Sequence, residues 1–261
     1  MKLNLHTLTT SICILLSAHS AFGRSIAPEP GANTTTYAQP LKIVFTEFPP
    51  YTYTNQNGDP KVYFVDLISK LLQQQDIPHS FSSHPTARIH FQLKSGEADI
   101  YLGPQGVPNL QQHIWSVPLP DSFTIRLFLW RKPSTTHAKS ITEIHNQSLA
   151  IINGFGYGGI LQKLDSTKNK VHIIRSSGHG NALKMLISGR ADYLLDYLQP
   201  VNTELSAHPN TELLKHPILD IEVAFMVSRN TDNSRELFEL LGSAVTQHYR
   251  ESPAPPPQPT D

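Results

Sequence analysis

Ser95-Gly96-Glu97-Ala98-Asp99 and Ser188-Gly189-Arg190-Ala191-Asp192 are two copies of one pattern, set 93 residues apart. An amphipathic stretch precedes each copy, carrying Ile89 and Leu93 in the first and Leu183, Leu186 and Ile187 in the second. An apolar run follows each, Ile100-Tyr101-Leu102 and then Tyr193-Leu194-Leu195. The physical reading is a helix, a glycine in the left-handed conformation that ends it, and a strand. Five residues can match by chance. The matched context on both sides makes a repeated α/β unit the better account.

The same alternation extends outward from both copies. Leu41-Lys42-Ile43-Val44-Phe45 reads as a strand, and Asp66-Leu67-Ile68-Ser69-Lys70-Leu71-Leu72 opens a helix. Asp66 stands at the positive end of that helix, and Leu67, Ile68, Leu71 and Leu72 share one face. In the second half Ser148-Leu149-Ala150-Ile151-Ile152 is a strand. It runs into Asn153-Gly154-Phe155-Gly156-Tyr157-Gly158-Gly159, after which a short helix is predicted over Ile160 to Leu164. Val171-His172-Ile173-Ile174 is a further strand, and Gly178-His179-Gly180 precedes a helix from Asn181. Strand-helix-strand order means an α/β fold with parallel or mixed sheets and helices on their faces. Two such units predict two lobes, with ligand chemistry at the carboxyl ends of the strands.

The first residues have the pattern of a secretory signal. Lys2 supplies a positive start, Ile12 to Leu16 with Ala18 form an apolar run, and Ala21-Phe22-Gly23 offers the small residues of a cleavage site. A membrane-spanning helix needs about 20 apolar residues, and Ser17, His19 and Ser20 interrupt this run well before that. A signal peptide over 1–23, cleavage near Gly23 and a periplasmic mature protein without membrane insertion are therefore expected. The single cysteine, Cys13, lies inside that signal, so the mature chain has no disulfide, thiol nucleophile or cysteine metal site. Residues 24–40 read as a disordered leader and 251–261 as a Pro-rich solvated tail.

Composition narrows the partners. The chain has 21 basic and 21 acidic residues and no basic block, which argues against nucleic acid and anionic lipid. His79, His84 and His90 match neither a helical ligand pair nor a strand alternation, so solvated histidines are predicted and no metal site. The glycines at 154, 156, 158 and 159 do not have dinucleotide-fingerprint spacing, and no Lys-Ser or Lys-Thr follows them; no cofactor is expected.

Five short motifs follow one another along the chain. They are Phe48-Pro49-Pro50-Tyr51, Asp66-Leu67, Ala87-Arg88 before Leu93-x-x-Gly96-x-x-Asp99, Trp115-Ser116-x-Pro118, and Gly189-Arg190-Ala191-Asp192. In this order and spacing the chain resembles the family-3 extracellular solute-binding proteins, the polar amino-acid class of periplasmic receptors for ABC transporters. The resemblance implies the type II periplasmic binding protein fold, two lobes that are each a mixed sheet flanked by helices. It implies a first lobe of 41–130 plus 222–250 and a second of 131–221. Hinge crossovers would lie near Trp130–Pro133 and Pro217–Glu222, absorbing the rotation as the lobes close. A monomer that passes a small polar ligand to a membrane ABC permease is the implied role.

The implied cleft site consists of Phe48, Tyr51, Arg88, Gly103, Gln105, Gly154, Tyr157 and Asp196. Phe48 and Tyr51 follow the first strand, where an aromatic can stack on a ligand or join the core. Arg88 sits near a helix start, where the dipole disfavours a cation; it reads as an anion contact or as a salt bridge within its own lobe. Bare amides around Gly154 suit a carboxylate, unless the glycines only make a tight turn.

Two departures from the family pattern bear on the ligand. Gly103 to Leu110 replaces the usual Thr-x-x-x-x-Arg segment, with Asn109 nearest the carboxylate-gripping arginine. Asp196 falls one residue short of the amine-binding aspartate, whose place Tyr197 takes. A one-residue slip turns a strand side chain to the opposite face. The chain therefore resembles a divergent branch. No catalytic residue is expected. The alternatives are a dehydratase-like enzyme using Asp196 with Arg88, and a ligand-sensing subunit that docks on a membrane sensor. N-terminal sequencing of the exported protein should begin at Arg24; a retained Met1 contradicts the signal.

Overall fold

The computed structural model describes residues 37–251 apart from 38, 55–56, 58–59, 62, 120–122 and 165. The expected signal peptide, most of the leader and the Pro-rich tail lie outside the described residues. No described helix is long and apolar enough to cross a membrane.

The first half is built from β1 (Leu41–Phe45), a small ribbon of β2 (Tyr53–Thr54) and β3 (Pro60–Lys61), α1 (Tyr63–Gln73), β4 (His79–Ser83), α2 (Thr86–Ser95) and β5 (Ile100–Pro104). Next come β6 (Ile114–Pro118) and β7 (Thr124–Arg131). The second half has β8 (Ser148–Ile152), α3 (Ser166–Asn169), β9 (His172–Ser176), α4 (His179–Ile187), β10 (Tyr193–Tyr197) and α5 (Leu198–Leu205). The long β11 (Leu214–Ser228) and α6 (Ser234–Glu251) close the chain.

Two units share one topology. In the first, β1 lies between β4 and β5, and both pairings are parallel. In the second, β8 lies between β9 and β10, again with parallel pairings. The five-residue repeat is thus the visible part of a duplicated strand-helix-strand unit, with α2 equivalent to α4.

The repeat's residues do the same work in both places. Gly96 and Gly189 take φ of 79° and 76°, the left-handed values that end α2 and α4 without a Cβ penalty. Ala98 and Ala191 are completely buried beneath the turn. The Asp99 carboxylate accepts the Lys42 N–H at 2.7 Å, while the Asp99 N–H donates to the Lys42 carbonyl at 2.9 Å. Asp192 repeats this with Ser148, at 2.8 Å and 3.2 Å. Each aspartate ties the strand that ends its unit to the strand that begins it.

One strand links the two sheets. Residues up to Glu222 of β11 pair with β7, and Val223 to Ser228 pair with β5 and β6. Pro217, which has no N–H to give, coincides with a break in the register of that pairing. β7 also pairs with β10 over residues 127–131. It is therefore hydrogen-bonded to the strands of the second unit.

Local expectations differ at three points. α1 begins at Tyr63, so Asp66 lies within its first turn rather than at its start. The helix expected over Ile160 to Leu164 is a 3-10 segment, Tyr157–Lys163, broken where Gly158 and Gly159 adopt positive φ. The helix expected from Asn181 starts at His179. Asp99→Ala and Asp192→Ala should each cost about 1–3 kcal/mol, the range for stranding a backbone donor. Urea unfolding checks this, and a loss in only one variant contradicts the equivalence.

Candidate functional site

A cleft of about 530 Å³ opens where equivalent strand ends of the two units meet. Thr46, Glu47 and Pro49 follow β1, and Ser83, His84, Pro85 and Thr86 join β4 to α2. From the second unit come Ile152 at the end of β8, Asn153 and Phe155 after it, Ser177 and Gly178 between β9 and α4, and His179 to Asn181 in the first turn of α4. Lys184 on α4 and Glu204 on α5 complete the wall. Carboxyl strand ends are where α/β sheets place ligands, because helix N-termini and irregular loops converge there.

The two sides of the wall differ in chemistry. On the first, Glu47 accepts the Ser83 hydroxyl at 2.6 Å, the Thr54 hydroxyl at 2.7 Å and the Thr54 N–H at 3.0 Å. Its carboxylate is committed to holding β1, β2 and β4 together. Thr86 donates its hydroxyl to that of Thr46 at 3.1 Å. On the second side, the position equivalent to Thr86 is His179, only 5% exposed. Its Nδ1 lies 2.9 and 2.8 Å from the two carboxylate oxygens of Asp196. Asp196 has no exposed surface and also accepts the Tyr197 N–H at 2.8 Å. The imidazole therefore stands between a buried carboxylate and the cleft.

Solved structures give this architecture its class. A histidine kinase sensor domain with similarity to periplasmic binding proteins matches with a TM-score of 0.71 at 17% identity, over 82% of this chain and 92% of that one. An ancestral arginine-binding protein bound to arginine matches at 0.69 and 16%, over 83% and 95%. The substrate binding protein of an amino acid ABC transporter matches at 0.66 and 12%, over 82% and 95%. The chain has the periplasmic binding protein fold. No family model matches the sequence. No curated protein matches it either.

Within that binding-protein fold the eight expected site residues are dispersed. None of them lines the large cleft. Phe48 and Tyr51 are buried and wall, with Gly103, a separate void of about 30 Å³. Burial pushes the Tyr51 hydroxyl up to about 12, with Arg126 acting against the shift. Gln105 reaches the Glu222 carboxylate at 3.4 Å. Arg88 is exposed on α2, and Asp196 pairs with His179 rather than with it.

Tyr157 is fully buried, and its hydroxyl accepts the Ile152 N–H at 2.7 Å. Burial first, and then the nearby Asp196 charge, raise this phenol and that of Tyr197 well above the ordinary tyrosine range. Phe48 crosses from the first unit to meet the Tyr197 ring at 5.1 Å and the His179 ring at 5.4 Å. Tyr157 stacks on Tyr197 at 5.8 Å. Phe48, Tyr157 and Tyr197 are thus brought together as packing behind the cleft.

The glycine-rich turn is a contact between lobes. A Cβ on Gly154 would lie 2.6 Å from the Ala87 backbone nitrogen, and its φ is +84°. Glycine here allows the β8 loop to touch the start of α2. The residue missed by the sequence reading is His179. The signal for it was the Gly178-His179-Gly180 turn, together with an aspartate on an otherwise apolar strand that needs a buried partner. Gly154→Ala should force the loops apart and strain the backbone by about 1–3 kcal/mol. Small-angle scattering should then show a larger radius of gyration; an unchanged radius with an unchanged melting temperature contradicts the contact.

Proposed function

We propose that this chain is a periplasmic solute-binding protein that captures a small polar molecule between its lobes. The observation that carries the reading is the polar cleft, built from equivalent strand ends of both units, so that one ligand touches both. Closing is favoured by ligand only through its higher affinity for the closed form. The neighbouring substrate-binding protein of an amino acid ABC transporter supports delivery to a membrane permease. The sensor-domain neighbour supports a second partner, a membrane sensor reading the loaded form. A dehydratase-like role has less support: Arg88 lies outside the cleft lining, and Asp196 is buried and hydrogen-bonded to His179.

No arginine is among the described residues that line the cleft. Asn153, His179, Asn181, Lys184 and Glu204 offer polar groups to a ligand there. The mature protein should bind one molecule from a panel of amino acids, amines and organic acids. A ligand at 100 times its Kd adds about 2.7 kcal/mol of stability, which raises Tm by several degrees. Thermal-shift screening followed by calorimetry checks this, and a flat response across the panel contradicts the reading.

A further inference from the structure

Asp196 dictates the chemistry of His179. A carboxylate only accepts hydrogen bonds, so His179 Nδ1 carries the proton in the bond to Asp196. In the neutral tautomer that this bond selects, Nε2 presents a lone pair. Trp130 Nε1 donates to the Asp196 carbonyl at 3.1 Å, which fixes the backbone behind the carboxylate. Phe48 and Phe155 flank the imidazole with ring centroids at 5.4 Å each and offer no polar atom. His179 Nε2 is buried and has no hydrogen-bond partner among the described residues. Buried acceptors are normally satisfied, and this one belongs to a side chain that lines the cleft.

We infer that His179 Nε2, oriented by Asp196, accepts a hydrogen bond from the ligand, and that the ligand presents a cationic donor there, an ammonium or guanidinium group. The inference rests on the cleft being the ligand site. The charges around it favour a cation. The Glu204 carboxylate reaches within 2.7 Å of where a Cβ on Gly180 would lie, one residue from His179. Lys184 is the sole lysine among the described residues of the lining, against Glu47 and Glu204. An anionic group at this place would face a lone pair and a carboxylate. A guanidinium carries donors for both. Asp196 is a positioning residue in this scheme, acting on the ligand only through the imidazole.

The test uses agmatine and L-arginine as cationic probes and succinate as the anionic one. The exported protein should bind the cations and not succinate. In Asp196→Asn the Tyr197 N–H retains the amide oxygen, and the amide NH2 turns to His179 Nδ1. The imidazole proton then moves to Nε2, because an amide in place of an orienting carboxylate traps the wrong tautomer. Affinity for the cations should fall about 10- to 100-fold, the range of a lost charge-assisted hydrogen bond. Nitrogen-15 spectra of the histidine rings provide a readout that loss of packing does not mimic. The His179 Nε2 resonance should be that of an unprotonated nitrogen in the wild type, move on saturation with agmatine, and become protonated in Asp196→Asn. Unchanged affinity in the variant despite the exchanged tautomer overturns the inference, as does an Nε2 resonance unmoved by bound agmatine. Binding of succinate alone overturns it too, while leaving the cleft as the ligand site. Failure of every probe to bind overturns both.

Discussion

A carboxylate with no exposed surface is costly unless its charge is met, and the surroundings of Asp196 are arranged to meet it. Removing one partner of such a buried pair leaves an uncompensated charge, which costs far more than the pair contributes. His179 Nδ1 and the Tyr197 N–H occupy the carboxylate oxygens. That requirement fixes the first residue of α4 against β10, and with it the plane of the imidazole. Phe155, Tyr157 and Tyr197 pack around the pair. Phe48 arrives from the other lobe onto the same two rings. The polar pair and the aromatic packing therefore form one structure, and the cleft wall is its outer surface.

The duplication sharpens the comparison between lobes. Equivalent positions have diverged from Thr86, which bonds within its own lobe, to His179, whose second nitrogen is uncommitted among the described residues. Glu47 is likewise saturated by Thr54 and Ser83. Thr86 and Glu47 thus bond within the first lobe, which under the proposed function leaves His179 of the second as the freer contact for a ligand.

How much of this was legible in the sequence depends on the range of the forces involved. The repeated Ser-Gly-x-Ala-Asp motif revealed the duplicated unit because its glycine, alanine and aspartate each meet a local requirement: a left-handed cap, a buried small side chain and a backbone acceptor. Strand limits at Leu41–Phe45 and Ser148–Ile152 were legible from apolar runs for the same reason. The site was not, because it is made by contacts between distant segments. Asp196 and Arg88 looked like a matched pair across a cleft, but burial turned Asp196 to a histidine 17 residues away. The glycines at 154 to 159 looked like an anion nest, yet their smallness serves an approach between loops that no single segment encodes. Tyr197, one residue beyond Asp196, is fully buried and packs against Phe48 and Tyr157.

Under the proposed function, closure and recognition share the same residues. Phe48 lies outside the large cleft, yet its contacts with His179 and Tyr197 join the lobes and fix the imidazole that the cleft presents. Gly154 against Ala87 adds a second contact of this kind. Contacts between protein groups favour the closed form by a fixed amount, whereas a ligand adds only its preference for that form over the open one. Weakening Phe48 must therefore reduce apparent affinity without touching the ligand, since the competent state becomes a smaller fraction of the population. The stronger the aromatic contact, the less of the ligand's binding energy is spent on closing, and the smaller the conformational signal left for a partner to read. Under the proposed function a receptor has to lie between these limits, and the single phenyl ring of Phe48 is well placed to set where.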